Sequence, residues 1–84
     1  MEKNKEPVGK ITHYFDKIGV AVVELKKGLK IGDKIKIEGE QTDFEQEIKS
    51  MQIDKKDIVV ARAGTEVGLK VNSDVRKGDV IYKE

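Results

Sequence analysis

Leu29-Lys30-Ile31-Gly32-Asp33-Lys34-Ile35-Lys36-Ile37 is the stretch that decides the fold class. Ile35 and Ile37 alternate with Lys34 and Lys36 in period two, so the isoleucines face a core and the lysines face water on one extended strand. Gly32-Asp33 ahead of it reads as a strand-entry turn. Glycine permits positive φ, and the Asp side chain hydrogen-bonds nearby backbone while the next strand begins. The device recurs near the end of the chain. Arg76-Lys77-Gly78-Asp79-Val80-Ile81 repeats the basic residue, the Gly-Asp pair and the apolar residue two positions beyond the Asp.

Working outward, the chain continues in short segments rich in Val and Ile, separated by Gly, Asp and Lys clusters at the spacing of a barrel or sandwich. Val8 to Phe15 reads as a first strand and Ile18 to Leu25 as a second. The second is apolar on both faces, through Val20 and Val22 and through Ala21, Val23 and Leu25, as in a strand central to a closed sheet. Lys26-Lys27-Gly28 is a turn leading into Leu29 to Glu38. In Asp43 to Ile53 the apolar Phe44 and Ile48 fall on one parity and Met51 and Ile53 on the other, which predicts a β-bulge near Lys49-Ser50. Asp54-Lys55-Lys56-Asp57 reads as a charged turn, followed by Ile58-Val59-Val60-Ala61. Val67, Leu69 and Val71 then alternate with Gly68 and Lys70, and Asp79 to Lys83 is the last strand. About six to seven strands of ordinary length and no helical periodicity predict an all-β fold.

The 84 residues have room for one domain, expected over 8–84 behind a polar leader at 1–7 that holds the only proline. A chain that is 37% hydrophobic and 39% charged is globular rather than disordered. It has no cysteine, which excludes disulfides and thiolate metal sites, and one histidine, His13. The apolar run from Ile18 to Val23 is far too short to cross a bilayer. The expected location is cytoplasmic, without membrane contact. Lys plus Arg number 17 against 16 Asp plus Glu, so the net charge of +1 carries no bulk attraction to nucleic acid.

Three segments carry a family resemblance. Leu29 to Ile37 resembles the I-x-V-G-D-x-V-x-I strand entry of the second domain of translation GTPases. Ala61-Arg62-Ala63-Gly64-Thr65-Glu66-Val67-Gly68-Leu69 resembles its A-x-A-G-D-N-V-G-L turn, and Val75 to Ile81 its closing I-x-R-G-D-V-L. The resemblance implies a stand-alone domain of the elongation factor Tu and initiation factor 2 type, a closed antiparallel Greek-key β-barrel. The chain has no G-x-x-x-x-G-K-[ST] loop, so no nucleotide binding is expected of it. Thr65 and Glu66 replace the Asp-Asn of the family turn, and a carboxylate there repels phosphate, so the aminoacyl-end pocket is not carried over. Similar barrels occur as accessory tail modules on larger enzymes, collagenase-like peptidases among them.

Candidate chemistry is sparse. His13 beside Tyr14 and Phe15 can act as a general base or a stacking partner, but no motif places a Ser, Cys or carboxylate with it, so a surface or core-edge histidine is the reading taken and it is not assigned as catalytic. Asp16, Asp33, Asp43, Asp54, Asp57, Asp74 and Asp79 fall at expected turns, where Asp serves the backbone; no calcium-loop spacing is present. Lys26, Lys27, Lys30, Lys55, Lys56, Arg62, Arg76 and Lys77 are the candidate partner-binding residues, able to meet RNA phosphates or to keep strand edges from aggregating. Gly32, Asp33, Gly64, Gly78 and Asp79 are the structural turn residues. Of the four aromatic residues Tyr14, Phe15, Phe44 and Tyr82, at least the phenylalanines are expected in the core.

The sequence therefore predicts a monomeric, non-enzymatic binding module without cofactor or metal, docking on a protein or on an RNA-containing, ribosome-like partner. The alternatives are an accessory or regulatory module of a larger enzyme such as a peptidase, and a small hydrolase using His13.

Overall fold

Period-two alternation becomes strand throughout the computed structural model, which describes residues 7–83. Among the described residues the elements are β1 (Pro7–Phe15), β2 (Val20–Leu25), β3 (Leu29–Lys30), β4 (Lys34–Glu38), β5 (Asp43–Glu47), β6 (Met51–Ile53), β7 (Lys56–Ile58), β8 (Val60–Ala61), β9 (Glu66–Lys70) and β10 (Val80–Lys83). Of the leader expected over 1–7, positions 1–6 lie outside the described residues, and Pro7 already pairs with Tyr82 in the β1–β10 ladder.

Eight strands form one antiparallel sheet in the order β5-β4-β10-β1-β2-β9-β6-β7, and β3 pairs with β8 in a separate ribbon. The sheet is a strongly curled half-barrel. This corrects the expected closed barrel of six to seven strands: β5 and β7 are edges, and no ladder joins them. The reason lies at Ile48-Lys49-Ser50, where the chain leaves the ladder instead of bulging within it. The stretch before the break pairs with β4, while the stretch after it pairs with β9. The opposing parities of Phe44/Ile48 and Met51/Ile53 thus belong to two separate strands. A side chain bridges the gap where a ladder would run: buried Gln46 donates from Nε2 to the Lys70 carbonyl at 2.9 Å and accepts from the Asn72 N–H at 2.8 Å.

The inner face of the curl holds the core. Ile11, Val23, Ile35, Ile37, Ile48, Leu69 and Ile81 are wholly excluded from water, each contributing about 1.5–3 kcal/mol of burial when large and apolar. Ile35 and Ile37 point inward and Lys34 and Lys36 outward, as their alternation dictates. β2 is central, paired with β1 and β9, but its outward Val20 and Val22 are only half-buried because no second layer covers that face. Ile18 is outside the strand and 60% exposed, in the turn that ends at left-handed Gly19.

Two local expectations are corrected. Phe15 is 46% exposed, not buried, because the ladder shifts register between Ile11 and His13. That bulge turns Tyr14 toward the core and sends His13 and Phe15 outward, where their rings lie 4.9 Å apart. The turn expected over Asp54 to Asp57 is only Asp54-Lys55, both at positive φ as a two-residue hairpin turn of the primed kind requires. Lys56 and Asp57 belong to β7.

Candidate functional site

Three turns share one construction. In Lys30-Ile31-Gly32-Asp33, Arg62-Ala63-Gly64-Thr65 and Arg76-Lys77-Gly78-Asp79 the fourth N–H donates to the first carbonyl, at 3.1, 3.2 and 3.0 Å. Their glycines sit at φ 96°, 87° and 96°, the left-handed third position of a type II turn. Each glycine N–H is anchored on a neighbouring segment, on the carbonyls of Ile48, Leu25 and Ile11 in turn. The two Gly-Asp turns add a side-chain lock: Asp33 Oδ2 accepts the Lys30 N–H at 3.0 Å and Asp79 Oδ2 the Arg76 N–H at 2.8 Å. Both carboxylates are buried. The echo in the sequence is therefore one turn used twice with its Asp and once with Thr65.

Two of these turns build a basic end of the molecule. Leu25 closes β2 by donating to the Thr65 carbonyl, while its own carbonyl holds Gly64, so Arg62 and the Lys26-Lys27 turn meet at one place. Lys26 and Lys27 both donate backbone N–H to the Val8 carbonyl. The β3–β8 ribbon sets Leu29 opposite Ala61 and Lys30 opposite Val60, which adds Lys30 to the group. β6 runs antiparallel to β9, so the Lys55 tip and Lys56 lie toward the end where β9 begins, accompanied by Asp54 and Asp57. Arg76 and Lys77 lie elsewhere, beside Glu38 and Glu40 in a cleft at the opposite end of β10 from Lys83. The eight candidate cations thus do not form a single face.

Asp33 sits under the basic end. Lys30 Nζ contacts its Oδ1 at 3.0 Å and Lys83 Nζ its Oδ2 at 3.6 Å. Burial by itself raises the Asp33 carboxyl, but hydrogen bonds from the Lys30 side chain and backbone, with the charges of Lys83 and Lys30, outweigh it and hold the group below the ordinary carboxylate range. Lys83 is a member of this group that the sequence reading missed. Its parity with buried Ile81 carries the signal, since an inward-facing lysine at a strand end calls for a buried anion. Val59 and Val60 were also missed: they are 72% and 61% exposed at the β7–β8 junction, next to the basic residues.

The other candidates stay apart. His13 lies on the outer face opposite Val22, against Phe15. Among the described residues no group of three His, Cys, Asp or Glu side chains is arranged to hold a metal ion. Tyr14 OH donates to Asp74 Oδ1 at 3.0 Å; burial first, then that hydrogen bond and the charges of Asp74 and Asp16, raise the phenol above its ordinary value. Glu66, the departure from the family turn, accepts from Thr12 Oγ1 at 3.4 Å on the outer face.

No family model matches the sequence. Over 79 residues, 93% of its length, the chain is 44% identical to an uncharacterised protease of Methanocaldococcus jannaschii. Over 83 residues it is 32% identical to a collagenase of Porphyromonas gingivalis. The solved C-terminal domain of a putative U32 peptidase from Geobacillus thermoleovorans superposes with a TM-score of 0.88 at 23% identity, covering 94% of this chain and 92% of that one. The chain is similar to one module of a peptidase. The selenomethionine variant of that Geobacillus domain gives a TM-score of 0.87. The chain spans about a fifth of the length of the curated relatives it matches, 19% of the protease and 23% of the collagenase. These relatives overturn the translation-factor resemblance, elongation and initiation factor types alike. What the motifs matched was turn geometry: a glycine at positive φ followed by a backbone-bonding Asp serves any sheet that needs a tight strand entry.

Proposed function

We propose that this chain is a non-catalytic binding module of the kind that accompanies a larger peptidase, where it holds a protein partner while the hydrolytic chemistry takes place elsewhere. One observation carries this reading: the match takes in 93% of this chain but only 19% of the protease, so the segment that resembles this chain is a small part of that protein. The half-barrel supports it. The buried carboxylates Asp33 and Asp79 lock their own turns, and exposed Val59 and Val60 stand beside the lysines and Arg62 of the basic end, where a partner can reach them.

A chimera tests it. The M. jannaschii protease is compared with a version lacking the matched segment and with one carrying this chain in its place. The accessory reading expects deletion to raise KM for a folded protein substrate and to leave cleavage of a short peptide intact, with the chimera restoring the protein substrate. Loss of short-peptide cleavage on deletion would place the segment in the catalytic body and sink the reading.

A further inference from the structure

We propose that the β3–β8 ribbon and the turns around it form a docking surface for an acidic protein segment that also carries apolar side chains. The proposal rests on the binding-module reading and names the chemistry of what is bound. Its first support is charge. Lys26, Lys30, Arg62 and Lys83 gather here from three separate parts of the chain, although the whole protein carries only +1. The carboxylate among them, Asp33, is buried and already engaged by Lys30 and Lys83, so it leaves a net positive rim. Glu24 and Glu66 lie on the outer sheet face instead, Glu24 opposite Lys10 and Glu66 bonded to Thr12.

The second support is apolar and distinguishes the partner. Val59 and Val60 are the most exposed large hydrophobic side chains among the described residues, while Val23, Val67 and Val75 are buried. Val60 stands beside Lys30 in the ladder and borders a depression of about 120 Å³ whose walls include Leu29, Ala61 and Lys83. A phosphodiester backbone uses the cations and leaves the valines wet. An acidic polypeptide with Val or Leu between its carboxylates covers both, with apolar contact at the centre and ion pairs at the rim.

The probe is a soluble peptide alternating Glu and Val, titrated into the 84-residue chain by amide NMR, with polyglutamate and polyuridylate as separate arms. The peptide is expected to shift the amides of Lys30, Val60, Arg62 and Lys83. Both the Val59→Ser/Val60→Ser and the Lys26→Glu/Arg62→Glu variants are expected to weaken it about tenfold or more. Retained spectral dispersion in each variant shows that the fold is intact. Equal binding of polyuridylate or polyglutamate with no effect of the valine change makes this a plain polyanion surface and overturns the proposal. So does a response centred on Phe15 and Val20, or none. Binding here with no effect of the deletion in the protease upholds the surface and removes the accessory reading. No binding here with impaired cleavage on deletion does the reverse.

Discussion

Gly39→Ala is expected to be among the costliest small changes in the molecule, and only while Asp79 is present. Gly39 opens the turn after β4, donating to the Thr42 carbonyl at 2.7 Å, and lies outside the left-handed φ region. A Cβ built there runs into the carboxylate of Asp79, whose Oδ1, Cγ and Oδ2 are its three nearest atoms. That carboxylate is 4% exposed and holds the Arg76 N–H at 2.8 Å, so it has nowhere to go without breaking its own lock. Overpacking costs about 1–3 kcal/mol, and a displaced charge-assisted hydrogen bond about 1.5–3 kcal/mol. The two partly overlap, giving about 2–4 kcal/mol. At roughly 4–8 °C per kcal/mol for a domain of this size, Tm falls by about 8–32 °C. In an Asp79→Ala background the obstruction is gone, and alanine at 39 becomes neutral or stabilising by up to about 1 kcal/mol through the unfolded state. Urea and thermal unfolding of the four proteins, followed by circular dichroism, measure the coupling. If Gly39→Ala costs the same in both backgrounds, within about 0.5 kcal/mol, the steric reasoning is refuted.

Three further outcomes follow from the same geometry. Gly32→Ala and Gly78→Ala place a Cβ in open space at φ 96°, so each is expected to cost about 1–2 kcal/mol of purely conformational energy. Urea midpoints of the two should agree closely, and a cost near zero would remove the turn assignment. Ile81→Ala, at a wholly buried position of β10, is expected to lower stability by about 2–5 kcal/mol, read as a shift in urea midpoint at constant slope. Asp33 is held below the ordinary carboxylate range in the folded state, so its contribution is present above the unfolded value of about 3.9 and fades as pH falls through the depressed folded value. Asp33→Asn should therefore flatten the loss of stability on the acid side; an unchanged acid slope would show that Asp33 does not supply it.

The all-β class was legible because period-two alternation at Ile35 and Ile37, and again at Val67 and Leu69, has one physical meaning: one face buried, one face wet. The turns were legible for a similar reason, since positive φ restricts the choice to few residues and Gly32, Gly64 and Gly78 advertise it. These signals are local, and local chemistry settled them. The candidate site was only half visible. Lys26, Lys27, Lys30 and Arg62 were nameable as cations, but nothing in a linear chain separates them from Arg76 and Lys77, which the fold sends to the company of Glu38 and Glu40.

Family likeness drawn from turn motifs misled for a related reason, because a Gly-Asp strand entry reports a backbone conformation that many sheets share. Closure of the barrel was not legible at all. Whether the two edges meet depends on the summed twist and curl of eight strands and on one break at Ile48-Lys49-Ser50, none of which any single segment encodes. By itself the sequence determined which residues face inward on the cleanly alternating strands and where the glycine turns fall, since those depend on side-chain period and backbone sterics. Tertiary structure alone decided that Lys83 joins Lys30 over Asp33, that a bulge in β1 sends Phe15 outward, and that Val59 and Val60 stand in water beside a basic rim. Each of these is a meeting of residues far apart in the chain, and pairing register, not composition, brings them together.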